Sequence, residues 1–431
     1  MAKQSASSHR ANGTSPVEAV GEVLMLSPPP LLATSLDEIV GHAGPKAVLR
    51  DAMSADRLHH AWIFTGPQGA GKFTAAYAFA AELLAGDAYG DRMLAIGQHP
   101  ELRIIRKELA LHSEEASIRS NKQTSISKKV IEEFMIEEAG KGSSLPGRLA
   151  KRVFIIDEAE LLDRSIHNAT TQNTLLKLLE EPPDGTIIIL VTLDDYRLIT
   201  TVRSRCQRVA FASLSRDECL TVLRQRADAA AAEEARNAEI AEQKAALAAA
   251  SAPKGRRKPV AEIEVDVNAA DDHDSDEVEW IAFALPADLA ELSFALDFAE
   301  NSPGGAIQVI AQDMYSWGPK LSMPLSAMMA GQPGWLSLGS TMNDLVEAQA
   351  KRQAGESKQS SKESANRYWA RKMFAAVAMH LRRHIAKDTL RISTALDCLS
   401  QAERQLDANV ALSVIFDNLA LQLGSVWARN N

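Results

Sequence analysis

The chain has 431 residues, a formal net charge of −9 and only three cysteines. This length allows two or three domains, each with its own core, and 46% apolar with 24% charged residues is ordinary for a soluble globular protein. A mildly acidic chain argues against a protein that grips DNA through a basic face of its own. No two cysteines have Cys-x-x-Cys spacing, which argues against a zinc site or a disulfide framework, and a reducing cytoplasm is expected.

The first segment, residues 1–34, is rich in serine, alanine and proline. This composition predicts a disordered tail, and the segment lacks the continuous apolar core of a secretory signal. Because no run of about 18 apolar residues occurs in the sequence, no membrane contact is expected.

The most informative stretch is Gly66–Thr74, which follows a short apolar strand, Ala61–Thr65, and begins a helix predicted over 72–85. A glycine-rich loop between a strand and a helix can hold a polyphosphate, because its backbone N–H groups and the helix N-terminus face the anion. The nucleotide-binding residues predicted from this loop are Gly66, Gly69, Gly71, Lys72 and Thr74.

One position departs from the phosphate-loop pattern. Phe73 stands where a serine or threonine hydroxyl would hold Mg²⁺, and Thr74 comes one residue too late. The loop is therefore expected to hold phosphates but to be poorly equipped to orient a metal. ATP and Mg²⁺ stay open as cofactors, and a loop that keeps its shape without binding nucleotide is the alternative. We expect nucleotide binding to persist and hydrolysis by this chain alone to be negligible.

Further strands are predicted at 102–106, 153–156, 187–192 and 209–211, alternating with helices. Asp157 and Glu158 directly follow one of these apolar runs. A buried parallel strand delivers such carboxylates to its C-terminal edge, where ligands bind in open α/β sheets. The sequence therefore predicts an α/β fold with a doubly wound parallel sheet.

From Ser213 onward the pattern is helical. A long helix is predicted over 217–250, and the stretch 251–279 then places a basic cluster beside an acidic one. This predicts a solvated insertion, with a nucleic-acid-binding patch as the alternative. Helical patterning resumes near Leu285 and continues to Trp427.

Four motifs, by their order and spacing, resemble the bacterial clamp-loader branch of AAA+ proteins, and in particular the delta-prime subunits of DNA polymerase III. They are Leu58–Trp62, Asp157–Glu160, Leu175–Pro183 and Arg203–Cys206. The resemblance covers most of residues 36–212.

The family organisation would divide the chain into four parts. The resemblance implies a tail at 1–34, an AAA+ P-loop core at 35–212, a helical lid at 213–312 that carries the charged insertion, and an all-helical collar at 313–431. In this family the collar joins five subunits in a ring.

The resemblance also implies roles for single residues. Arg205 is expected to be an arginine finger supplied in trans to a neighbour's ATP, with a surface arginine paired with an acid as the alternative. Asp157 and Glu158 would orient Mg²⁺ and a water or else cap the next helix, and Thr192 would sense the γ-phosphate or else bond only to backbone. No metal held by the protein alone and no zinc are expected, because the stretch 86–100, where some relatives carry a four-cysteine module, has no cysteine.

Delta-prime subunits are commonly not ATPases, and the turn Asn301–Gly305 offers glycine where relatives with active sites carry an arginine. We therefore expect a component of a DNA-directed DNA polymerase holoenzyme with little or no ATPase or polymerase activity of its own. Its expected partners are the other subunits of a hetero-pentameric ring, the sliding clamp and, through the complex, primed DNA. A gamma/tau-type motor subunit that hydrolyses ATP is the alternative, and an unrelated P-loop small-molecule transferase is a more remote one.

Overall fold

The computed structural model describes residues 33–55, 58–119, 125–163, 169–251, 284–356, 362–408 and 410–428. They fall into two compact units that divide between Leu285 and Pro286. The predicted tail, apart from its last two residues, and the charged insertion, apart from Ser251, lie outside the described residues. The domain boundaries predicted after residues 212 and 312 stay predictions.

The first unit contains a five-stranded sheet in which every neighbouring pair is parallel. The strand order is β2-β3-β4-β1-β5. The strands are β1 (Ala61–Thr65), β2 (Leu102–Ile105), β3 (Arg152–Ile156), β4 (Thr186–Thr192) and β5 (Gln207–Ala210). The predicted parallel sheet is confirmed, but β2 ends at Ile105, so Arg106 lies just beyond the strand that was expected to include it.

Both faces of the sheet are buried, which explains why its strands are continuous apolar runs. Ile63 and Ile156 lie in one apolar layer, whereas Phe64 and Ile155, which alternate with them, lie in the other. The second layer includes the helix that follows the phosphate loop, through side chains such as Phe79.

Helices cover the two faces of the sheet and extend beyond it. Helical turns of the 3₁₀ type lie at Leu36–Glu38, Lys107–His112, Ala159–Leu161 and Asp195–Arg197. A π-helical turn, Glu132–Ile136, joins two short α-helices into one element. The α-helices are Ala43–Ser54, Lys72–Leu84, Ala88–Ala95, Ala116–Arg119, Lys128–Ile131, Glu137–Ala139, Thr170–Glu180, Thr200–Arg203 and Arg216–Ser251.

The second unit, as far as it is described, is helical, as predicted. Its last four helices pack in a closed cycle. Both Leu338–Glu356 and Thr389–Asp407 contact Lys362–Arg382 on one side and Leu412–Ala428 on the other. Trp317 and Trp369 meet edge to face at 6.0 Å between ring centroids, and Phe374 and Phe416 do so at 5.8 Å. The α-helices are Leu289–Phe298, Pro303–Ala311, Trp317–Met329, Leu338–Glu356, Lys362–Arg382, Thr389–Asp407 and Leu412–Ala428, with 3₁₀ turns at Met314–Ser316 and Pro333–Ser337.

None of the helices formed by the described residues is both long and apolar enough to cross a bilayer.

Two buried ion pairs lie at the end of the sheet opposite the phosphate loop, one between the starts of β2 and β3 and one between β2 and the helix Glu137–Ala139. Arg152 contacts Glu101 at 2.6 Å, and Arg103 contacts Glu138 at 3.2 Å, with all four side chains nearly inaccessible. Burial alone would raise the pKa of Glu101, but hydrogen bonds from the Ser144 backbone and from Arg152 outweigh it and lower the pKa. The Arg152–Glu101 pair thus links β2 to β3 at the ends opposite those that lead to Arg106 and Asp157.

Glu101→Gln tests this buried pair. Removing the carboxylate leaves Arg152 buried without its counter-charge, so we expect the free energy of unfolding to fall by about 3–5 kcal/mol at pH 7. Because the pKa of Glu101 is lowered on folding, its contribution is present above the ordinary value of 4.5 and is lost as the pH falls through the lower, folded value. Urea unfolding followed by circular dichroism should show the difference from wild type shrinking below pH 4.5.

The exposed Glu137→Gln is the matched control for that measurement, since it removes the same charge from the surface of a neighbouring helix. A Glu101→Gln protein as stable as the control would contradict the assigned role.

Candidate phosphate loop and its filled metal seat

The phosphate loop connects β1 to the helix Lys72–Leu84, and its glycines adopt backbone angles that other residues avoid. Gly66, Gly69 and Gly71 have φ angles of 150°, 71° and 93°. A Cβ atom on Gly66 would lie 2.1 Å from the carbonyl oxygen of Phe211, so the loop passes directly against the chain that follows β5. The three predicted glycines are therefore brought together in one tight loop that has no room for side chains at its start.

Lys72, the first residue of the loop helix, turns back over the loop. Its Nζ donates hydrogen bonds to the carbonyl oxygens of Gly66, at 2.8 Å, and Pro67, at 2.6 Å. The side chain is buried, and this desolvation lowers the pKa of Lys72 although Glu160 and Asp157 act in the opposite direction. The ammonium group thus lies inside the loop, where it could also contact a bound phosphate.

His42 supports the loop from outside and was not recognised from the sequence. Its Nε2–H donates to the carbonyl oxygen of Ala70 at 2.8 Å, and its ring meets Phe211 edge to face at 5.0 Å. Burial lowers the pKa of His42, which favours the neutral ring. Since 28 residues separate His42 from Ala70, no local pattern could have predicted the contact.

A cationic side chain lies over the aromatic ring of Phe73, at the position where a phosphate loop would bind a metal ion. The guanidinium carbon of Arg106 lies 4.6 Å from the ring centroid, which is a cation–π distance. The same guanidinium binds one carboxylate oxygen of Asp157, through Nη2 at 2.8 Å and Nε at 3.0 Å. Arg106 therefore bridges the first turn of the loop helix and the acidic end of β3.

The second acid, Glu158, is also paired. Its carboxylate lies 2.9 Å from Nζ of Lys107, and its backbone is in the left-handed region at φ 51°. Burial alone would lower the pKa of Lys107, but the attraction of Glu158 outweighs it and raises the pKa. Each of the two predicted acids is thus neutralised by a basic residue from the neighbouring strand end.

Strand register explains this double pairing. Ile105 is aligned with Ile156 in the parallel β2–β3 pair, so the next two residues of each strand leave the sheet side by side. A basic pair after β2 then meets an acidic pair after β3. The basic pair Arg106–Lys107 at the end of the predicted strand was visible in the sequence, but its meaning depended on knowing the strand order.

The described residues do not fit the Mg²⁺ ion that a phosphate loop of this kind implies. The side chain of Phe73 supplies no oxygen, and Thr74 comes one residue later in the helix. Asp157 has one oxygen on Arg106 and the other on the backbone N–H of Glu158. Within the described part of the chain, no group of three or more His, Cys, Asp or Glu side chains is arranged to hold a metal ion.

Thr192 ends β4 beside the last residue of β1, with which it is aligned in register. Its hydroxyl donates to the carbonyl oxygen of Asp194 at 3.1 Å and accepts from the N–H of the same residue at 3.2 Å. The side chain is therefore at the predicted edge of the sheet, but its hydroxyl is used to close a turn.

Arg205 lies at the surface between the short helix Thr200–Arg203 and β5. Its Nη2 contacts Glu180 at 2.7 Å, its Nη1 donates to the carbonyl oxygen of Thr201 at 2.9 Å, and 36% of the side chain remains exposed. The structure thus places Arg205 in an ion pair at the surface. Burial raises the pKa of the neighbouring Cys206 thiol to about 12, which favours the protonated thiol at neutral pH.

Together, the sheet order, the loop after β1, the acids after β3 and Thr192 at the end of β4 define a P-loop AAA+ core. Residues 41–215 match a family described as "DNA polymerase III, delta subunit".

Named relatives agree with that family. A DNA polymerase III subunit delta' of Bacillus subtilis (strain 168) is 29% identical over 175 residues, which are 39% of this chain and 46% of the relative. A DNA polymerase III subunit gamma of Buchnera aphidicola subsp. Schizaphis graminum is 27% identical over 190 residues, which are 44% and 48% of the two chains. The chain thus spans less than half the length of either relative.

A solved gamma subunit-related protein of DNA polymerase III from Thermotoga maritima is 13% identical, with 90% of this chain and 99% of that chain covered and a TM-score of 0.38. Over residues 41–215 the chain is therefore similar to the bacterial clamp-loader branch of AAA+ proteins. Relatives of the delta' and gamma types match this chain almost equally well.

Gly66→Ala tests the packing of the phosphate loop. The new methyl group would collide with the backbone at Phe211, which cannot move without disturbing β5, so we expect a loss of at least about 2 kcal/mol of stability. Thermal unfolding followed by circular dichroism measures it. Gly44→Ala is the control, because a Cβ there meets nothing within 4 Å in the first turn of a helix, and it should be neutral or slightly stabilising. Equal melting temperatures for the two variants would contradict the close approach.

Proposed function

We propose that this chain is a delta-prime-type subunit of the DNA polymerase III clamp loader, which helps to load the sliding clamp onto primed DNA. It acts as a stator, completing the ATPase site of a neighbouring subunit without hydrolysing ATP itself. The observation that carries this proposal is the pairing of Arg106 with Asp157 above the ring of Phe73.

The lack of hydrolysis follows from what phosphoryl transfer requires. The reaction needs a metal ion bound to the phosphate oxygens and a water positioned for attack. The metal is held by a hydroxyl after the loop lysine and by an acid at the end of a neighbouring strand, where a second acid can position the water. Here the hydroxyl is replaced by Phe73, and Asp157 and Glu158 are held by cations of the same chain. A metal would first have to displace a guanidinium that is only 11% exposed.

The trans role of Arg205 is supported by its exposure and by the weakness of its present contact. An ion pair between exposed side chains, such as that with Glu180, contributes only about 0–1 kcal/mol. An arginine finger contributes on the order of 10³–10⁵ in rate, roughly 4–7 kcal/mol of barrier. Exchanging Glu180 for the phosphates of a neighbour's nucleotide would therefore cost little compared with the gain. The fork of the guanidinium also suits phosphoryl oxygens.

In this role the chain's partners are the other subunits of a hetero-pentameric ring in the cytoplasm, the sliding clamp and primed DNA. The net charge of −9 favours contact with DNA through the assembled complex rather than through this chain alone. A gamma/tau-type motor subunit remains the second candidate, because the gamma relative matches nearly as well as the delta' relative.

Arg205→Ala in a reconstituted clamp loader tests the finger. We expect ATP hydrolysis at the site completed by Arg205 to slow by a factor on the order of 10³. The ATPase rate of the whole complex should then fall to the rate of its remaining active sites, and clamp loading should fall as well. Assembly, measured by size-exclusion chromatography, should be unchanged.

Arg203→Ala is the matched control for that experiment. It removes the same charge two residues away, where the guanidinium instead stacks on Tyr196 at 5.2 Å. If Arg205→Ala turned over ATP as fast as this control, the finger assignment would be wrong.

Lys72→Ala in the same complex separates the stator from the motor subunit. For a stator, removing this lysine should change complex ATPase by less than twofold, because no hydrolysis occurs at its loop. A motor subunit would lose its whole share of turnover, so a fall as large as that of Arg205→Ala would favour the gamma/tau type. Steady-state phosphate release at saturating ATP is the measurement.

A further inference from the structure

We propose that Arg106 takes the place of the divalent cation in this phosphate loop, so that the chain binds a nucleoside triphosphate without Mg²⁺. The inference concerns the chain's own loop and does not depend on Arg205. Its test uses the isolated chain, so its failure and that of the stator role can be told apart.

The position of the guanidinium carries the proposal. In P-loop proteins the metal lies between the hydroxyl residue after the loop lysine and an acid at the end of a neighbouring strand. In this chain those two positions are Phe73 and Asp157, and Arg106 contacts both of them. A fixed positive charge thus occupies the space that a metal would need.

The surrounding charges agree with this arrangement. Lys72, Arg106 and Lys107 face Asp157, Glu158 and Glu160, so the described cluster is balanced without a metal. A dication added beside Arg106 would be repelled by it at short range, in a partly buried setting where screening by water is weak. Arginine remains charged at every working pH and its planar fork fits phosphate oxygens, so it can face the anion in the metal's place.

The roles of the two flanking groups can be separated. The ring of Phe73 fixes the guanidinium from one side, and the carboxylate of Asp157 fixes it from the other. Replacing Phe73 by threonine would supply the missing hydroxyl, and removing Arg106 would release the carboxylate. The double variant Phe73→Thr/Arg106→Ala therefore rebuilds both metal-facing groups with two substitutions.

Isothermal titration calorimetry of the full chain with ATP, once in MgCl₂ and once in EDTA, tests the proposal. Wild type should bind ATP in EDTA at least as tightly as in MgCl₂, whereas the double variant should gain tenfold or more in affinity from MgCl₂. Lys128→Ala is the control, because it removes one positive charge from an exposed pair with Glu132 and leaves the cluster around Arg106 intact. It should keep the metal-independent behaviour.

Several results would overturn the proposal. Wild type that binds no ATP in EDTA, or that binds ATP tenfold more tightly in MgCl₂, contradicts it without any variant being needed. If the double variant melts below the assay temperature, Arg106→Lys replaces it. This variant keeps the charge but loses the fork and its stacking, so its ATP affinity in EDTA should fall at least tenfold, and an unchanged affinity would also refute the role of the guanidinium.

Discussion

The structure of the site depends on one alignment, that of β2 with β3. Because the two strands are parallel and Ile105 is level with Ile156, the basic pair after β2 and the acidic pair after β3 leave the sheet next to each other. Without this register, the edge of the sheet would offer two carboxylates to a metal ion. With it, both carboxylates are ion-paired. A shift by one residue would leave one of the two basic residues without its acid and would move every side chain of β2 to the other face.

A buried ion pair, Arg152 with Glu101, also links the same two strands at their opposite ends. A second buried pair, Arg103 with Glu138, links β2 to the helix Glu137–Ala139. Replacing such a pair by apolar residues is often neutral for stability, whereas removing one partner is costly, so the pairs specify which residues meet more than they add net stability. The Arg152–Glu101 contact therefore favours the same β2–β3 alignment that brings Arg106 to Asp157.

The two arginines that matter most differ in their surroundings. Arg106 is almost inaccessible and is held by a ring and a carboxylate, which suits a fixed charge within its own chain. Arg205 is partly exposed and its acid is half exposed, which suits a group that must leave its contact for another subunit. In the proposed function, the chain keeps the shape of a nucleotide-binding site, while the arginine that takes part in catalysis, Arg205, lies at the surface.

The sequence by itself determined the sheet, the phosphate loop and the departure at Phe73. Buried parallel strands are continuous apolar runs, and the backbone angles of the loop require glycine, so both leave a local pattern. Only the tertiary structure decided the partners of the charged groups. Arg106 and Asp157 are 51 residues apart, and His42 and Ala70 are 28 apart. Such pairs depend on strand order and register, which arise from packing across the whole sheet and leave no periodic trace in either segment.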